Sequence, residues 1–434
     1  MKLVKTKTKK IHILTLGCAK NTVDSEFLQR QLRANQFTIS EEINGSDLCI
    51  INTCGFIESA KQQSIDTILE TVEKKKAGLI QNLFVMGCLS ERYHEALKKD
   101  IPEVDKYFGS NNLPDILKEL GAEYKYELLG ERDLSTPSHY AYLKISEGCD
   151  NPCSFCAIPI MRGTHKSKPI DEIMKEVVSL SEKNIKELIV IGQDTTYYGL
   201  DLYGGRELPS LLKSLSTVNG IEWIRLMYAF PAKFPLEVLD VISDSEKICK
   251  YIDIPIQHAS DSVLKSMRRG LTRKILSELF NKIRKKIPGI ALRTTIITGY
   301  PNETEKDFEE LITFLKEIEF DRLGVFTYSQ EENTSAFGLG DPIPQKVKEE
   351  RQTYIMDIQK EISYKRNVGR IGKTAKVLIE RIENENYIGR TEWDAPEIDN
   401  EIIIPKSKHL KIGSFVNAKI VDSLEYDLFG EIVE

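Results

Sequence analysis

The sequence predicts an α/β protein of three domains: an N-terminal parallel α/β domain, a partial (β/α)6 barrel and a small antiparallel β-barrel. The chain has 434 residues, more than the roughly 250–300 at which a single core stops growing. Short apolar runs alternate with helical patterns up to about residue 330, which is typical of a parallel sheet. Residues 371–434 change to strand patterning alone. These three observations set the expected domain order.

Residues 1–125 are expected to form the first domain. Three short apolar runs, IHILTLG, DLCIINT and NLFVMG, are each followed by a helical pattern, as in a parallel α/β sheet. A cysteine stands at the end of each run: Cys18, Cys54 and Cys88. Because the strand-to-helix turns of a parallel sheet emerge at one edge, we expect these three thiols to converge.

Residues 138–369 are expected to form the second domain, with six predicted strands separated by helices. The strands are AYLKIS, ELIVIGQD, WIRLMYA, YIDIPIQ, ALRTTIITG and RLGVFTYS. Six βα units fall short of the eight that close a full barrel, so we expect a barrel that is open on one side. Residues 345–369 are typical of a long amphipathic helix leading to the third domain.

Residues 371–434 are expected to form the third domain. The runs TAKVLIER, NYIGRTE, EIIIP and FVNAKIVDS, separated by turn residues, predict a small antiparallel β-barrel.

The composition excludes a membrane protein and favours a cytoplasmic one. Hydrophobic residues make up 41% and charged residues 29% of the chain, and no apolar run approaches the roughly 20 residues that span a bilayer. The basic start lacks the cleavage site of a signal peptide. Since cytoplasmic thiols stay reduced, the eight cysteines are expected to be metal ligands, catalytic groups or core residues rather than disulfides.

A cysteine motif follows the first predicted barrel strand, where α/β barrels hold their chemistry. Cys149, Cys153 and Cys156, spaced C-x3-C-x2-C, can bind three irons of a [4Fe–4S] cluster and leave the fourth open. Such an iron can bind S-adenosylmethionine (SAM) and cleave it reductively to a 5′-deoxyadenosyl radical. The alternative is a structural metal knuckle. Phe155 between the thiolates either shields the cluster or is an ordinary packed aromatic.

The first three cysteines allow the same interpretation. Three converging thiolates without a fourth again describe a cluster with an open iron, although coincidental core cysteines are the alternative, because cysteine is often buried. Cys49 and Cys249 lie inside strands and are expected to be core residues.

Polar residues at the ends of the barrel strands are candidates for SAM binding. They are Gln193, Asp194, Gln257 and Arg293; strand-end polar groups of this kind suit ribose hydroxyls, an adenine edge or a carboxylate. His258 is as consistent with a structural hydrogen bond as with a ligand contact. No catalytic acid or base is predicted.

Four segments resemble the blocks of the radical-SAM methylthiotransferases: LGCAKNTVDSE, NTCGFIESAKQQS, MGCLSERY and YLKISEGCDNPCSFCAIP. The resemblance covers essentially the whole chain and implies two [4Fe–4S] clusters and a C-terminal TRAM domain. It also implies that one SAM methylates sulfur held at the N-terminal cluster. A second SAM is cleaved at the barrel cluster, and its radical abstracts hydrogen from the substrate carbon that the sulfur then attacks.

Within that family, IPEVD at 101–105, FDRLGVFTYSQEENTSA at 320–336 and RTEWDAPEIDN at 390–400 resemble the RimO branch. The resemblance implies addition of a methylthio group to the β-carbon of an aspartate in protein twelve of the small ribosomal subunit. The alternatives are a MiaB-like enzyme acting on a transfer-RNA adenosine and a noncatalytic cluster protein that binds the ribosome or RNA. Asn302 in GYPNET replaces the family's glycine, and we expect the turn to form because Asn tolerates left-handed backbone.

Charge in the third domain favours a protein partner over transfer RNA. Residues 371–434 hold 8 Lys and Arg against 13 Asp and Glu, a net charge of −5, whereas RNA binding calls for cations. The acidic ladder comprises Glu392, Asp394, Glu397, Asp399 and Glu401. It suits a basic ribosomal protein; the alternative is a solvated acidic edge. An electron donor protein is the other expected partner.

Overall fold

The structure is a computed structural model that describes residues 8–406 and 409–433. Its contacts divide the chain into two units. The first unit comprises Met1–Pro137, Tyr142–Asp150 and Ala157–Ser179, and the second comprises Ser138–Ala141, Asn151–Cys156 and Leu180–Glu434. Among the described residues, no helix combines the length and the apolar character that crossing a bilayer requires.

A five-stranded parallel sheet, in the order β2-β1-β3-β4-β5, forms the centre of the first unit. Its strands are β1 (Lys10–Thr15), β2 (Thr38–Ser40), β3 (Ser46–Thr53), β4 (Ile80–Gly87) and β5 (Lys106–Tyr107). Its helices are α1 (Ala19–Ala34), α2 (Glu58–Lys76), α3 (Cys88–Arg92), α4 (His94–Asp100) and α5 (Leu113–Glu119). The three predicted strands are β1, β3 and β4, and the sheet is parallel as expected. β3 is buried along nearly its whole length, as in sheets covered on both faces.

Four further elements belong wholly or mainly to the first unit: β7 (Ser146–Glu147), β8 (Lys166–Ser167), α6 (Ile158–Arg162) and α7 (Ile170–Glu182). The two short strands pair in an antiparallel ribbon. This ribbon and α6 frame the stretch of chain that carries the cysteine motif.

The second unit contains an open sheet of six strands in the order β13-β12-β11-β10-β9-β6. The strands are β6 (Tyr140–Lys144), which begins in this unit, β9 (Glu187–Ile191), β10 (Trp223–Leu226), β11 (Ile248–Asp253), β12 (Ala291–Thr298) and β13 (Arg322–Thr327). The helices are α8 (Leu200–Tyr203), α9 (Leu208–Ser216), α10 (Glu237–Asp244), α11 (Asp261–Ser266), α12 (Arg273–Lys286) and α13 (Glu305–Ile318). All six predicted barrel strands are present, and the sheet does not close.

The long predicted helix is α14 (Gln345–Val368), and it leads to a closed five-stranded barrel. The barrel strands are β14 (Thr374–Glu383), β15 (Asn386–Thr391), β16 (Ile402–Pro405), β17 (Phe415–Ser423) and β18 (Leu428–Ile432). The sequence pattern predicts four of these strands and misses β18. The barrel is antiparallel except at one strand pair: β16 pairs with β18 in parallel, whereas the other four pairs are antiparallel.

Candidate metal centres and cofactor site

The sheet of the first unit brings the ends of β1, β3 and β4 together. Leu16 N donates to Asn52 O at 2.9 Å, and Thr53 lies in register with Gly87. Cys18, Cys54 and Cys88 follow these three strand ends. A Cβ atom added to Gly17 would lie 3.0 Å from Cys54 Sγ. The three cysteines therefore share one edge of the sheet, and we call them the first triad.

The members of the first triad differ in exposure. Cys18 is exposed, whereas Cys54 and Cys88 are buried. Burial raises the pKa of Cys54. The pKa of Cys88 is raised to about 12, because burial outweighs the lowering effect of the nearby Arg162. Both buried groups are therefore thiols at neutral pH, and a metal has to displace their protons.

In the described part of the chain, no three or more His, Cys, Asp or Glu side chains are close enough together to hold a single metal ion. A cubane bonds each thiolate to a different iron, so its ligands need not meet at one point. The soft, all-sulfur donor set of the first triad fits an iron–sulfur cluster better than a hard cation.

Arg162, at the end of α6, contacts the first triad within the first unit. Its Nε donates to Cys88 Sγ at 3.2 Å. Nη1 donates to Asp24 at 2.7 Å and to Glu147 at 3.2 Å, and Nη2 donates to Asn21 Oδ1. The guanidinium is therefore fixed at all three nitrogens, with only 2% of the side chain exposed.

Asn21 connects the strand ends on which the first triad stands. Its Nδ2 donates to Leu16 O at 2.7 Å and to Thr53 O at 3.0 Å, and its Oδ1 lies 4.0 Å from Cys88 Sγ. The residue is fully buried. One amide therefore holds the ends of β1 and β3 and faces the third cysteine.

The cysteine motif of the loop is divided between the two units. Cys149 belongs to the first unit, where its N–H donates to Gly163 O at 3.1 Å. Gly148 precedes it with φ at 70°, and a Cβ there would lie 2.1 Å from Thr164 O. This close approach accounts for the glycine before the first thiol of the motif.

Cys153 and Cys156 belong to the second unit, where Cys156 N donates to Cys153 O at 3.2 Å. Arg269 Nη1 donates to Cys153 Sγ at 3.2 Å, and its Nη2 donates to Pro255 O at 2.5 Å. The buried guanidinium also lies 4.2 Å from the ring centroid of Phe230. Each cysteine set thus has one cysteine that accepts a hydrogen bond from an arginine: Cys88 from Arg162 and Cys153 from Arg269.

Ser154 fixes the second half of the loop. Its N–H donates to Met267 O, its Oγ donates to Ser266 O at 2.9 Å, and its O accepts from Ala336 N. Ser154 Oγ is also 3.0 Å from the hydroxyl of Tyr300. The neighbouring Phe155 packs against a buried apolar cluster, which supports the packed-aromatic interpretation.

The four SAM candidates do not share one environment. Asp194 is buried; it accepts from Thr196 N and Oγ1 and from Asn151 Nδ2 at 2.8 Å, so it positions the loop. Gln257 has left-handed backbone, φ 71°, and a buried Oε1 to which none of the described residues donates a hydrogen bond. This atom fits a polar ligand. Gln193 is half-buried and follows the end of β9.

Arg293 is paired with two carboxylates and stays a candidate for SAM binding through its other guanidinium donors. Its Nη1 lies 3.0 Å from Asp253, and its Nε lies 3.3 Å from Asp399 of the barrel. His258 is structural: Nδ1 accepts from Ser260 N at 3.0 Å, and Nε2 lies 3.6 Å from Glu303.

The GYPNET turn forms without left-handed backbone at its asparagine. Asn302 is not among the described residues with positive φ, and its Nδ2 donates to Ser266 Oγ at 3.1 Å. The hydrogen bond to Ser266, rather than the expected left-handed backbone, therefore accommodates Asn302 in the turn.

Three family models match successive parts of the chain. Residues 10–109 match Uncharacterized protein family UPF0004, residues 143–315 match the Radical SAM superfamily, and residues 371–433 match the TRAM domain.

Curated relatives match the chain over nearly its whole length. The protein named ribosomal protein uS12 methylthiotransferase RimO from Cytophaga hutchinsonii is 56% identical and covers 98% of each chain. The protein of the same name from Flavobacterium johnsoniae is 53% identical over 99% of this chain and all of its own. The chain belongs to the RimO family of methylthiotransferases.

Solved structures resemble this RimO-family chain in fold. The radical S-adenosylmethionine methyltransferase TsrM from Kitasatospora setae has a TM-score of 0.57 and 13% identity, covering 76% of this chain and 77% of its own. The cobalamin-dependent radical enzyme OxsB has a TM-score of 0.52 and 14% identity, covering 80% and 56%. At these identities the likeness shows the fold alone.

Each carboxylate of the acidic ladder of this RimO-family chain has a partner within the second unit. Asp394 pairs with Arg322 at 2.5 Å, and Asp399 accepts from Tyr251 at 2.7 Å. Both aspartates are almost completely buried. The other three members also have partners in the unit: Glu392 accepts from Lys250 N, Glu397 from Tyr140, and Glu401 from Arg381.

The sequence pattern did not single out Asn21, Arg162 or Arg269, three side chains that contact the sulfur atoms of cysteines in the two motifs. Each is a common surface residue type, and no spacing links any of them to a cysteine.

Proposed function

We propose that this chain adds a methylthio group to the β-carbon of an aspartate in ribosomal protein uS12, as the names of its relatives indicate for the protein substrate. The observation that supports sulfur insertion is the convergence of Cys18, Cys54 and Cys88 at one sheet edge. A radical-SAM motif alone accounts for radical formation, whereas a second thiolate set supplies a place to hold sulfur.

Two [4Fe–4S] clusters and SAM are the proposed cofactors. The first triad is proposed to hold one cluster, and Cys149, Cys153 and Cys156 the other. When bound, these groups supply the electron, the deoxyadenosyl radical and the sulfur of the reaction. An electron donor protein is the proposed source of electrons, and the cytoplasm is the proposed location. The proposed domains span residues 1–125, 138–369 and 371–434.

The chain's own residues position this chemistry. Ser154 and the Asn151–Asp194 hydrogen bond hold the loop that carries Cys153 and Cys156. The proposed polar contacts to SAM are Gln193, Asp194, Gln257 and Arg293. Gln257 supports this proposal most directly, because no described residue partners its buried Oε1. Fixed donors and a buried setting keep the radical near one C–H bond and away from water.

The substrate is proposed to be a basic ribosomal protein. The C-terminal barrel is its proposed docking domain. Two carboxylates of the acidic ladder, Asp394 and Asp399, are buried against arginines and do not face a partner. Transfer RNA is the less favoured substrate.

The function is tested with the reconstituted protein, SAM and a reductant, with purified uS12 in one reaction and transfer RNA in a parallel one. We expect 5′-deoxyadenosine and a mass increase of about 46 Da on uS12, the difference between H and SCH₃. Formation of 5′-deoxyadenosine with methylthiolated transfer RNA instead would reassign the substrate. Absence of 5′-deoxyadenosine would refute a radical mechanism.

A matched pair of variants tests the first triad. Replacing Cys18, Cys54 and Cys88 together by Ala should halve the iron per chain and abolish the mass increase, while 5′-deoxyadenosine still forms. Cys49→Ala, a buried cysteine in β3 of the same sheet, should leave the iron content unchanged. Unaltered iron in the triple variant would contradict the proposal.

A further inference from the structure

We infer that Arg162 is a positioning residue for the first triad: its guanidinium holds the Cys88 thiolate and raises the reduction potential of the cluster bound there. The inference rests on the proposed function in one respect, since it requires the first triad to hold a cluster.

The geometry of Arg162 is specific to a guanidinium. Its Nε is directed at Cys88 Sγ at 3.2 Å, while the outer nitrogens are held by Asp24, Glu147 and Asn21. A planar fork of this kind presents several donors in a fixed arrangement, which a lysine ammonium on a flexible stem cannot reproduce. The carboxylates therefore orient the donor that reaches the sulfur.

The charges around Cys88 nearly cancel before its own charge is counted. Lys144 lies beside the same two carboxylates, and its Nζ contacts Asp24 and, at 2.7 Å, Glu147. Two cations thus face two carboxylates. Every one of these side chains is at most 18% exposed, so water screens them weakly and a change of one charge acts strongly on the sulfur.

Hydrogen bonds to cluster sulfurs and the net charge around them set the potential of an iron–sulfur cluster. An added electron increases the negative charge on the thiolates. A donor at Cys88 and a nearby cation both stabilise that reduced state, so Arg162 should raise the potential. Removing a carboxylate from the same network should raise it further, because the surrounding charge becomes more positive.

Asp24 is the suitable carboxylate to remove. It pairs with both Arg162 and Lys144, and it lines a cavity of about 260 Å³ in the first unit. An asparagine there can be solvated from the cavity. The variant Asp24→Asn therefore changes the charge near Cys88 without removing the donor.

The experiment uses the full chain with Cys149, Cys153 and Cys156 replaced by Ala, so that the first triad holds the cluster that is measured. Its midpoint potential is determined by a redox titration followed by electron paramagnetic resonance. We expect Arg162→Gln to lower the potential, Arg162→Lys to lower it less, and Asp24→Asn to raise it. A structural role alone predicts no such opposite signs.

Arg132→Gln is the matched control. Arg132 is equally buried in the first unit, but it pairs with Glu26 at 2.8 Å and Glu176 at 3.1 Å. Its replacement should leave the potential unchanged. Equal shifts in Arg132→Gln and Arg162→Gln, an unchanged potential in Arg162→Gln, or a lowered one in Asp24→Asn would each overturn the inference. If Arg162→Gln binds no iron, the sign of the shift in Asp24→Asn decides.

Failure of the inference is distinct from failure of the proposed function. A parent protein that binds no iron at the first triad refutes the function assigned to that triad. A parent that binds iron, but whose potential ignores Arg162 and Asp24, refutes this inference alone.

Discussion

At the scale of single residues, Asn21 shows why the first triad depends on more than its cysteines. An amide is both a donor and an acceptor, and Asn21 uses Nδ2 for two strand-end carbonyls and Oδ1 for Arg162. Neither a carboxylate nor an apolar side chain of similar size offers both. The geometry of the triad therefore depends on this one side chain.

Replacing Asn21 by Ala should lower the free energy of unfolding by about 1–3 kcal/mol, because buried polar groups lose their partners. Iron per chain should also fall, and both effects are measured by urea unfolding and iron analysis. Asn35→Ala is the control, since its Nδ2 bonds Gln31 O and Glu123 O away from the triad. Equal iron loss in both variants would contradict a specific role for Asn21.

The cysteines themselves could be predicted from the sequence, because each stands where a recognisable apolar strand ends. Arg162 and Arg269 could not, since their contacts with Cys88 and Cys153 join residues 74 and 116 positions apart. The strand position of Arg293 predicts a contact with SAM, but its pairing with Asp399 of the barrel could not be predicted, because the two residues are more than 100 positions apart in the chain.

At the scale of elements, long buried strands were predictable and short ones were not. All six strands of the open sheet follow from their apolar runs, whereas β2 and β5 have only three and two residues. β18 was missed because LFGEI has a glycine at its centre and follows a polar turn. It forms through pairing with β17 and β16, which is a long-range contribution.

The contact between the sheet and the barrel depends on buried ion pairs. Arg322 in β13 meets Asp394 at 2.5 Å, and neither side chain is more than 3% exposed. We expect Arg322→Met and Asp394→Leu each to cost about 3–5 kcal/mol, because a buried charge loses its partner. The double variant should lose much less than the sum, measured by urea unfolding; additive losses would contradict a coupled pair.

Glu380 in β14 adds a pH dependence to the same contact. Burial raises its pKa, but the hydrogen bond from His139 and the charge and hydrogen bond of Arg390 outweigh burial and lower the pKa to about 2. A lowered folded-state pKa contributes stability above the ordinary value of 4.5, which is lost as the pH falls toward 2.

We therefore expect the iron-free protein to lose unfolding free energy between pH 4.5 and 2, and Glu380→Gln to lose less over the same interval. Urea unfolding at several pH values measures both. Exposed Glu383→Gln, on the same strand, is the control. Parallel curves for Glu380→Gln and the unaltered protein would count against this ion pair.

At the scale of the whole molecule, the acidic ladder changes how the barrel's charge is understood. The excess of five acidic residues in 371–434 equals the number of carboxylates in the ladder. All five contact other residues of the second unit. The rest of the barrel is balanced in charge. The two buried aspartates of the ladder, Asp394 and Asp399, face Arg322 and Arg293 rather than solvent.

Glu397 is the exposed member of the ladder, and it tests whether the ladder attracts a basic partner. Glu397→Gln should leave kcat/KM for uS12 within about twofold at both low and high salt, because an exposed pair contributes little. Steady-state assays at two ionic strengths measure this. A large loss at low salt that disappears at high salt would identify the ladder as an electrostatic docking surface.

The uneven exposure of the first triad gives that centre an outer and an inner side. Cys18 is open to solvent, whereas Cys54 and Cys88 are enclosed. Iron and sulfide arriving from solution would meet Cys18 first, and dioxygen would reach a finished cluster from the same direction. We expect assembly to begin and oxidative damage to start at Cys18, which makes it the ligand at which repair of the centre would also begin.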